Sequence, residues 1–205
     1  MTIADRPSRV ARKPFYFNTS AHLLRIGRER ATTVSELLQG LRACSDDCIF
    51  QHTFRTLQEH HCIREGFSNN FAHWVSSAYH EPGLAERLAS VDVREFTSIG
   101  AVRERIVQIV DTYLQCNPRS GERAAREPFH FHASDTVILP TPFVAHNHSE
   151  FIDGLGRVSV HSVHHHFIEA RLRLHLTSND FSLWLQEEAD LKEAARCLTI
   201  STSTL

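Results

Sequence analysis

Histidine is the residue type best placed to do chemistry in this chain, filling 15 of 205 positions. Neutral imidazole is the commonest metal ligand, and it titrates closer to neutral pH than any other side chain. Several of the histidines cluster: His60 with His61, His130 with His132, His146 with His148, and His161 with His164, His165 and His166. His130 and His132 stand two apart on a predicted strand and so face one way. His161 and His165 share one face of a predicted helix. Either pair would give two metal ligands, but a site needs a third or fourth from elsewhere. The sequence has no Glu-x-x-His pair on matching helices and no His-Glu-x-x-His, so neither a di-iron bundle nor a zinc protease is indicated. No metal site and no cofactor is expected.

Internal comparison narrows the histidines to two. Pro14-Phe15-Tyr16-Phe17-Asn18-Thr19-Ser20 returns as Pro128-Phe129-His130-Phe131-His132-Ala133-Ser134. At the same offset Ser35-Glu36-Leu37-Leu38-Gln39-Gly40-Leu41 returns as Ser149-Glu150-Phe151-Ile152-Asp153-Gly154-Leu155, and His52 as His166. Later, Ser68-Asn69-Asn70-Phe71-Ala72-His73-Trp74-Val75 returns as Ser178-Asn179-Asp180-Phe181-Ser182-Leu183-Trp184-Leu185. Ordered matches of this kind indicate a duplication. His52 and His166 are the histidines that both copies share. On a helical wheel each lies at the margin of the apolar stripe, beside Arg55 and Glu59 in copy one and beside Glu169 and Arg173 in copy two. These six residues are the ligand-binding candidates. In one reading the two histidines satisfy neighbours within the fold. In the other they face each other across a cleft between the copies, where Arg55 and Arg173 would hold a small anionic substrate.

The elements that must position these residues follow from periodicity. Alternating Phe15 and Phe17, and Phe129 and Phe131, predict a short half-buried strand opening each copy. Pro140 and Pro142 are expected to end any ladder that follows the second. A short helix begins near Ser35 and near Ser149 and ends close to Gly40 and Gly154. The longest helix is expected over 46–63 and again over 160–176, with Ile49, Phe50, Thr53, Phe54 and Leu57 as a core-facing stripe. A Ser-Asn-Asn or Ser-Asn-Asp start then leads into helices on which Phe71, Trp74 and Val75, or Phe181, Trp184 and Leu185, share a face. Further helices are predicted over 83–89, 99–114 and 191–198.

Composition excludes several functions. The net charge of −2 gives no pull toward nucleic acid or anionic lipid. No apolar run approaches the ~18 residues of a membrane span. The N-terminal residues carry Arg6, Arg9, Arg12 and Lys13 without an apolar stretch, and read as a disordered basic arm rather than a secretory signal. The five cysteines (Cys44, Cys48, Cys62, Cys116 and Cys197) are an odd number, which points to reduced thiols. Cys44 and Cys48 are four apart, but the second copy has Val158 and Ser162 there, so the pair reads as packing. No Gly-rich phosphate loop, Gly-x-Ser-x-Gly elbow or Cys-x-x-Cys is present.

The stretches Cys48-Ile49-Phe50-Gln51-His52-Thr53-Phe54-Arg55 and Asn70-Phe71-Ala72-His73-Trp74-Val75 resemble the DUF5752 family. So do His165-His166-Phe167-Ile168-Glu169-Ala170-Arg171-Leu172 and Asn179-Asp180-Phe181 in copy two. The resemblance covers nearly the whole chain. It implies a cytoplasmic bacterial protein and carries no known activity, cofactor or catalytic residue.

The expected fold is mainly α: two tandem homologous helical modules with short β segments in a pseudo-two-fold arrangement. The divisions are a basic arm over 1–13, copy one over 14–116, a linker over 117–127, and copy two over 128–205, shortened at its C-terminus. The expected function is a non-catalytic binding or interaction module, the alternative being a metal-assisted or His-dependent enzyme. The expected partner is a protein or small molecule, with neither membrane nor nucleic acid, and a second copy of the chain could cover the shortened module.

Overall fold

The computed structural model describes residues 10–55, 67–173 and 178–198. The chain forms two compact units that do not follow the sequence halves. One, called here the terminal unit, combines Met1–Ala21 with Thr136–Leu205, and the other, the central unit, is His22–Asp135.

The expectation of a mainly α protein with short β segments is overturned. The fold is mixed α and β, with two antiparallel sheets of two strands each. Strand β1 runs over Val10–Arg25 and pairs with a strand, β4, that runs over Ala133–Asn147. The short strands β2 (Arg30–Ala31) and β3 (Phe129–His130) pair antiparallel, with Ala31 opposite Phe129. Pro140 and Pro142 lie inside β4 and do not end it. In a two-stranded sheet every strand is an edge, and an edge tolerates residues that lack an N–H donor. Residues 10–13, read as part of a disordered arm, belong to β1, where Ala11 is buried.

The tandem arrangement is overturned as well. Phe15 and Phe17 of β1 pack in the terminal unit, against Phe151, Phe181 and Trp184. Phe129 and its neighbour Phe131 pack in the central unit, where Phe129 contacts Phe71 and Trp74. Each unit is therefore completed by the aromatic strand that the sequence assigns to the other copy.

The central unit contains α1 (Val34–Ala43), α2 (Asp46–Phe50) with a π-helical turn over Gln51–Arg55, and α3 (Asn70–Trp74) with a π-helical turn over Val75–Tyr79. It continues with α4 (Pro82–Ala89) and the 18-residue α5 (Ile99–Cys116). Its core includes Leu37, Leu41, Ile49, Phe50, Phe54, Leu88, Ile106 and Val110. The terminal unit contains α6 (His148–Arg157), α7 (Val160–His164), a π-helical turn over His165–Glu169, α8 (Ala170–Arg173), α9 (Asp180–Glu187) and α10 (Lys192–Leu198). Among the described residues, no helix is long and apolar enough to cross a membrane.

The short helices start at Val34 and His148, one residue before the serines expected to open them. Thr33 caps α1 by accepting from the Glu36 N–H (3.1 Å), while the Glu36 carboxylate accepts from the Thr32 N–H (2.6 Å). Asn147, Glu150 and His146 repeat that reciprocal cap on α6, with bonds of 3.0 and 2.7 Å. Both helices also run past Gly40 and Gly154, which were expected to end them. At these glycines an aromatic ring lies directly on the helix. A Cβ at Gly40 would come within 2.2 Å of the Phe131 ring, and one at Gly154 within 2.5 Å of the Phe17 ring. The glycines are there for close approach, not termination.

Candidate functional site

The two shared histidines do the same work in different units. In the terminal unit the backbone N–H of Asn18 donates to His166 Nε2 at 2.8 Å. In the central unit the N–H of His132 donates to His52 Nε2 at 3.0 Å. A ring nitrogen that accepts from a backbone N–H must carry its lone pair, so each imidazole is neutral with its proton on Nδ1. His166 Nδ1–H then donates to the Asp180 carboxylate (2.9 Å). His52 Nδ1 lies 3.1 Å from Asn70 Nδ2; with Nε2 accepting from the His132 N–H, the amide has to turn its oxygen to that place to receive the Nδ1 proton. Both rings sit in a π-helical turn, His52 in Gln51–Arg55 and His166 in His165–Glu169. They are 4 % and 3 % exposed. Burial, with the charge of the nearby His132, pushes His52 down to about 3.

Each ring also packs, tilted, against the strand it fastens: the His166 ring centre lies 4.8 Å from that of Phe15, and His52 4.7 Å from Phe129. The tryptophans complete the attachment. Trp184 Nε1–H donates to the Lys13 carbonyl and Trp74 Nε1–H to the Glu127 carbonyl, each at 2.8 Å. Both tryptophans are buried, as their shared face with Phe71 and Val75, or Phe181 and Leu185, implies. Imidazole and indole thus tether the two ends of each aromatic strand segment.

The candidates are divided between the two units. His52 and Arg55 belong to the central unit, His166 and Glu169 to the terminal unit. Arg55 is half-buried on the same turn as His52. Glu59, His60 and His61 lie outside the described residues, as does the side chain of Arg173. Glu169 is fully buried and holds two imidazoles, its oxygens 3.3 Å from the Nδ1 atoms of His164 and His165. On the same helical stretch His164 is half-buried and Arg171 is 9 % exposed. His130 and His132 stack with parallel rings 5.9 Å apart. No group of three or more His, Cys, Asp or Glu able to hold a metal ion is present among the described residues.

A feature that sequence reasoning passed over lies in the central unit. Cys44 and Cys48 line a cleft of about 470 Å³, together with Arg25, Glu29, Ser45 and Phe131. Their counterparts in the terminal unit act differently. Ser162, matched to Cys48, donates its hydroxyl to the Asn18 carbonyl at 2.6 Å and so adds a third tether on β1. Cys48 is instead buried at the matched place, 3 % exposed, and the nearby Cys44 thiol donates to the Leu41 carbonyl at 3.6 Å. The exchange of a tethering hydroxyl for a thiol was the available signal, hidden while Val158 and Ser162 were read as evidence of packing alone.

The model of a family of unknown function, DUF5752, matches residues 12–202. The chain belongs to the DUF5752 family. A solved structure, that of OrfY from Thermoproteus tenax, is similar to this DUF5752 member at 31 % identity, covering 93 % of this chain and 86 % of that one, with a TM-score of 0.83. No curated protein matches the chain.

Proposed function

We propose that this DUF5752 protein is a non-catalytic interaction module, and that the partner seated on its β1–β4 ribbon is a second copy of the chain. The observation that carries this reading is the run Val137-Ile138-Leu139 on β4 in the terminal unit. All three are exposed, Ile138 at 57 %, and Tyr16 on β1 is exposed at 60 %. Successive strand residues point to opposite faces, so an exposed run of three presents apolar surface on both faces of the ribbon. A two-stranded ribbon in water is marginal by itself, and such runs are unfavourable unless something covers them. Pro140 and Pro142 remove donors from one edge of β4, which favours capture through side chains over addition of another strand. A second copy offers the same two-faced ribbon, and self-complementary pairing about a two-fold axis is the commonest way for identical chains to associate.

The shared histidines support the non-catalytic half of the reading, because both nitrogens of each ring are engaged in holding the fold. The odd number of cysteines supports a cytoplasmic setting. Sedimentation velocity over a wide concentration range tests the proposal. The expected result is a concentration-dependent dimer that Ile138→Lys abolishes while the circular dichroism spectrum is retained. A wild-type chain that stays monomeric throughout would overturn it.

A further inference from the structure

We propose that the cleft of the central unit binds a small organic cation with an aromatic body, its ring lying where the terminal unit places a phenylalanine and its ammonium group facing Glu29. Residues 21–34 and 135–148, which lie between the matched stretches, run at the same offset without a gap. The structure keeps that register. Ala31 and Ala145 are both fully buried, Thr33 and Asn147 cap matching helices, and Ala43 and Arg157 are the last residues of those helices.

Glu29 and Ala43 therefore stand where the terminal unit has Phe143 and Arg157. There the Arg157 guanidinium lies over the Phe143 ring, 4.9 Å from its centre, and Phe143 packs on the core of its unit. A ring and the cation above it fill that place. In the central unit the two matched residues line the cleft, and Ala43 contributes only a methyl group. The space left open is about 470 Å³, in the range of small-molecule clefts. Phe131 supplies an apolar wall, with its ring lying directly on Gly40. Its N–H donates to the Glu29 carbonyl at 3.1 Å, so the backbone on both sides of the opening is held in place. A flat aromatic body suits a wall of that kind.

The charges select the rest of the ligand. A Cβ at Gly27 would come 3.4 Å from Glu29 Oε2, so the carboxylate turns back over Gly27, which also lines the cleft. Arg25, on the same rim, is paired with Asp135 at 3.5 Å. The Glu29 carboxylate has no such pair among the described residues, which leaves the rim with an unanswered negative charge. The Ser45 hydroxyl adds an acceptor. Its counterpart Ser159 accepts from the Ser162 N–H at 3.3 Å and so caps α7, whereas Ser45 makes no cap bond to α2. An anionic ring compound would be repelled by Glu29, and a neutral one would leave its charge unmet. A cation answers it, and the discrimination comes from repulsion as much as from attraction.

The experiment titrates the full-length protein with 2-phenylethylamine by isothermal titration calorimetry at neutral pH. The comparison is 3-phenylpropanoate, a similar ring on an anionic chain. The amine should bind saturably and about tenfold more tightly than the anion. Glu29→Gln, at an exposed position, should weaken the amine about threefold, the range expected for one exposed charge pair. Glu29→Phe combined with Ala43→Arg installs the residues that the terminal unit carries, and should abolish binding while the circular dichroism spectrum is retained. No saturable binding of the amine up to millimolar concentration, equal binding of the two probes, or unchanged binding in the double variant would each overturn the proposal.

Discussion

The central and terminal units fasten an aromatic strand with the same tools, and they differ at two positions. The imidazole that receives the strand N–H lies against the Asn70 side-chain amide in the central unit and gives its own proton to Asp180 in the terminal unit. The residue four places before the imidazole tethers a strand carbonyl where it is Ser162, and is a buried thiol beside the cleft where it is Cys48. Common positions thus hold strand to helices, while departures mark where one unit is free to do something else. The terminal unit has the fuller set of tethers. The central unit has given one up beside its cleft.

The sharpest way to break this comparison is to remove the rings that fill each unit. Phe17→Ala and Phe131→Ala should each cost about 3–5 kcal/mol in urea unfolding, the usual cost of emptying a buried aromatic site. Hydrogen exchange should show that Phe17→Ala loosens α6 and α9 first, and Phe131→Ala loosens α1. If Phe17→Ala loosened α1 and spared α6, the assignment of strands to units would be wrong.

The next effect is a dependence on pH. An unfolded histidine takes up its proton near 6.5, whereas folded His52 resists until about 3. Across that window the unfolded chain binds more protons, so the stabilisation is complete above pH 6.5 and is lost as pH falls toward 3. The slope from this group is up to about 1.4 kcal/mol per pH unit. Subtracting the profile of His52→Gln from that of the wild type isolates it. A difference that did not change between pH 6.5 and 4 would rule out a buried neutral imidazole.

Smaller effects sharpen the comparison. Ser162→Ala leaves the Asn18 carbonyl without its hydroxyl donor and should cost about 1–2 kcal/mol. Cys48→Ser should shift unfolding by less than about 1 kcal/mol, because serine is close to cysteine in size and is the residue the terminal unit carries at the matched place. Equal losses at the two sites would mean that the thiol tethers β3 and β4 as Ser162 tethers β1. Smallest of all, Asp180→Asn should cost under about 1 kcal/mol, since an amide does the same task at Asn70; Asp180→Ala, which strands the buried Nδ1–H, should cost clearly more.

Much of this was legible in the residues. Alternating phenylalanines announced strands, the Ser-Asn starts announced capped helices, and internal matching singled out His52 and His166. What could not be read was where each strand would go. Phe15-x-Phe17 and Phe129-x-Phe131 are chemically equivalent, so either can fill either core, and local periodicity carries no information on that choice. Strand length was missed because Pro140 and Pro142 look like breakers until the strand is known to be an edge. The buried cluster of Glu169, His164 and His165 was missed because polar residues on a helix face read as solvated, and only tertiary packing reveals that they cover one another.

The exchanged strands also govern the order in which this chain can come together. Residues 10–21 leave the ribosome early, but the helices that shelter Phe15 and Phe17 begin only at His148. The central helices wait in turn for Phe129 and Phe131 before His52 and Gly40 meet their partners. The central unit, one continuous segment, can close its core once Phe129 and Phe131 have emerged, whereas the terminal unit must join residues at both ends of the chain, and contacts of long sequence separation slow folding because the intervening chain must first be gathered in. The terminal unit therefore matures last. Split within the 117–127 segment, the chain's two pieces should stay loose apart and regain structure on mixing.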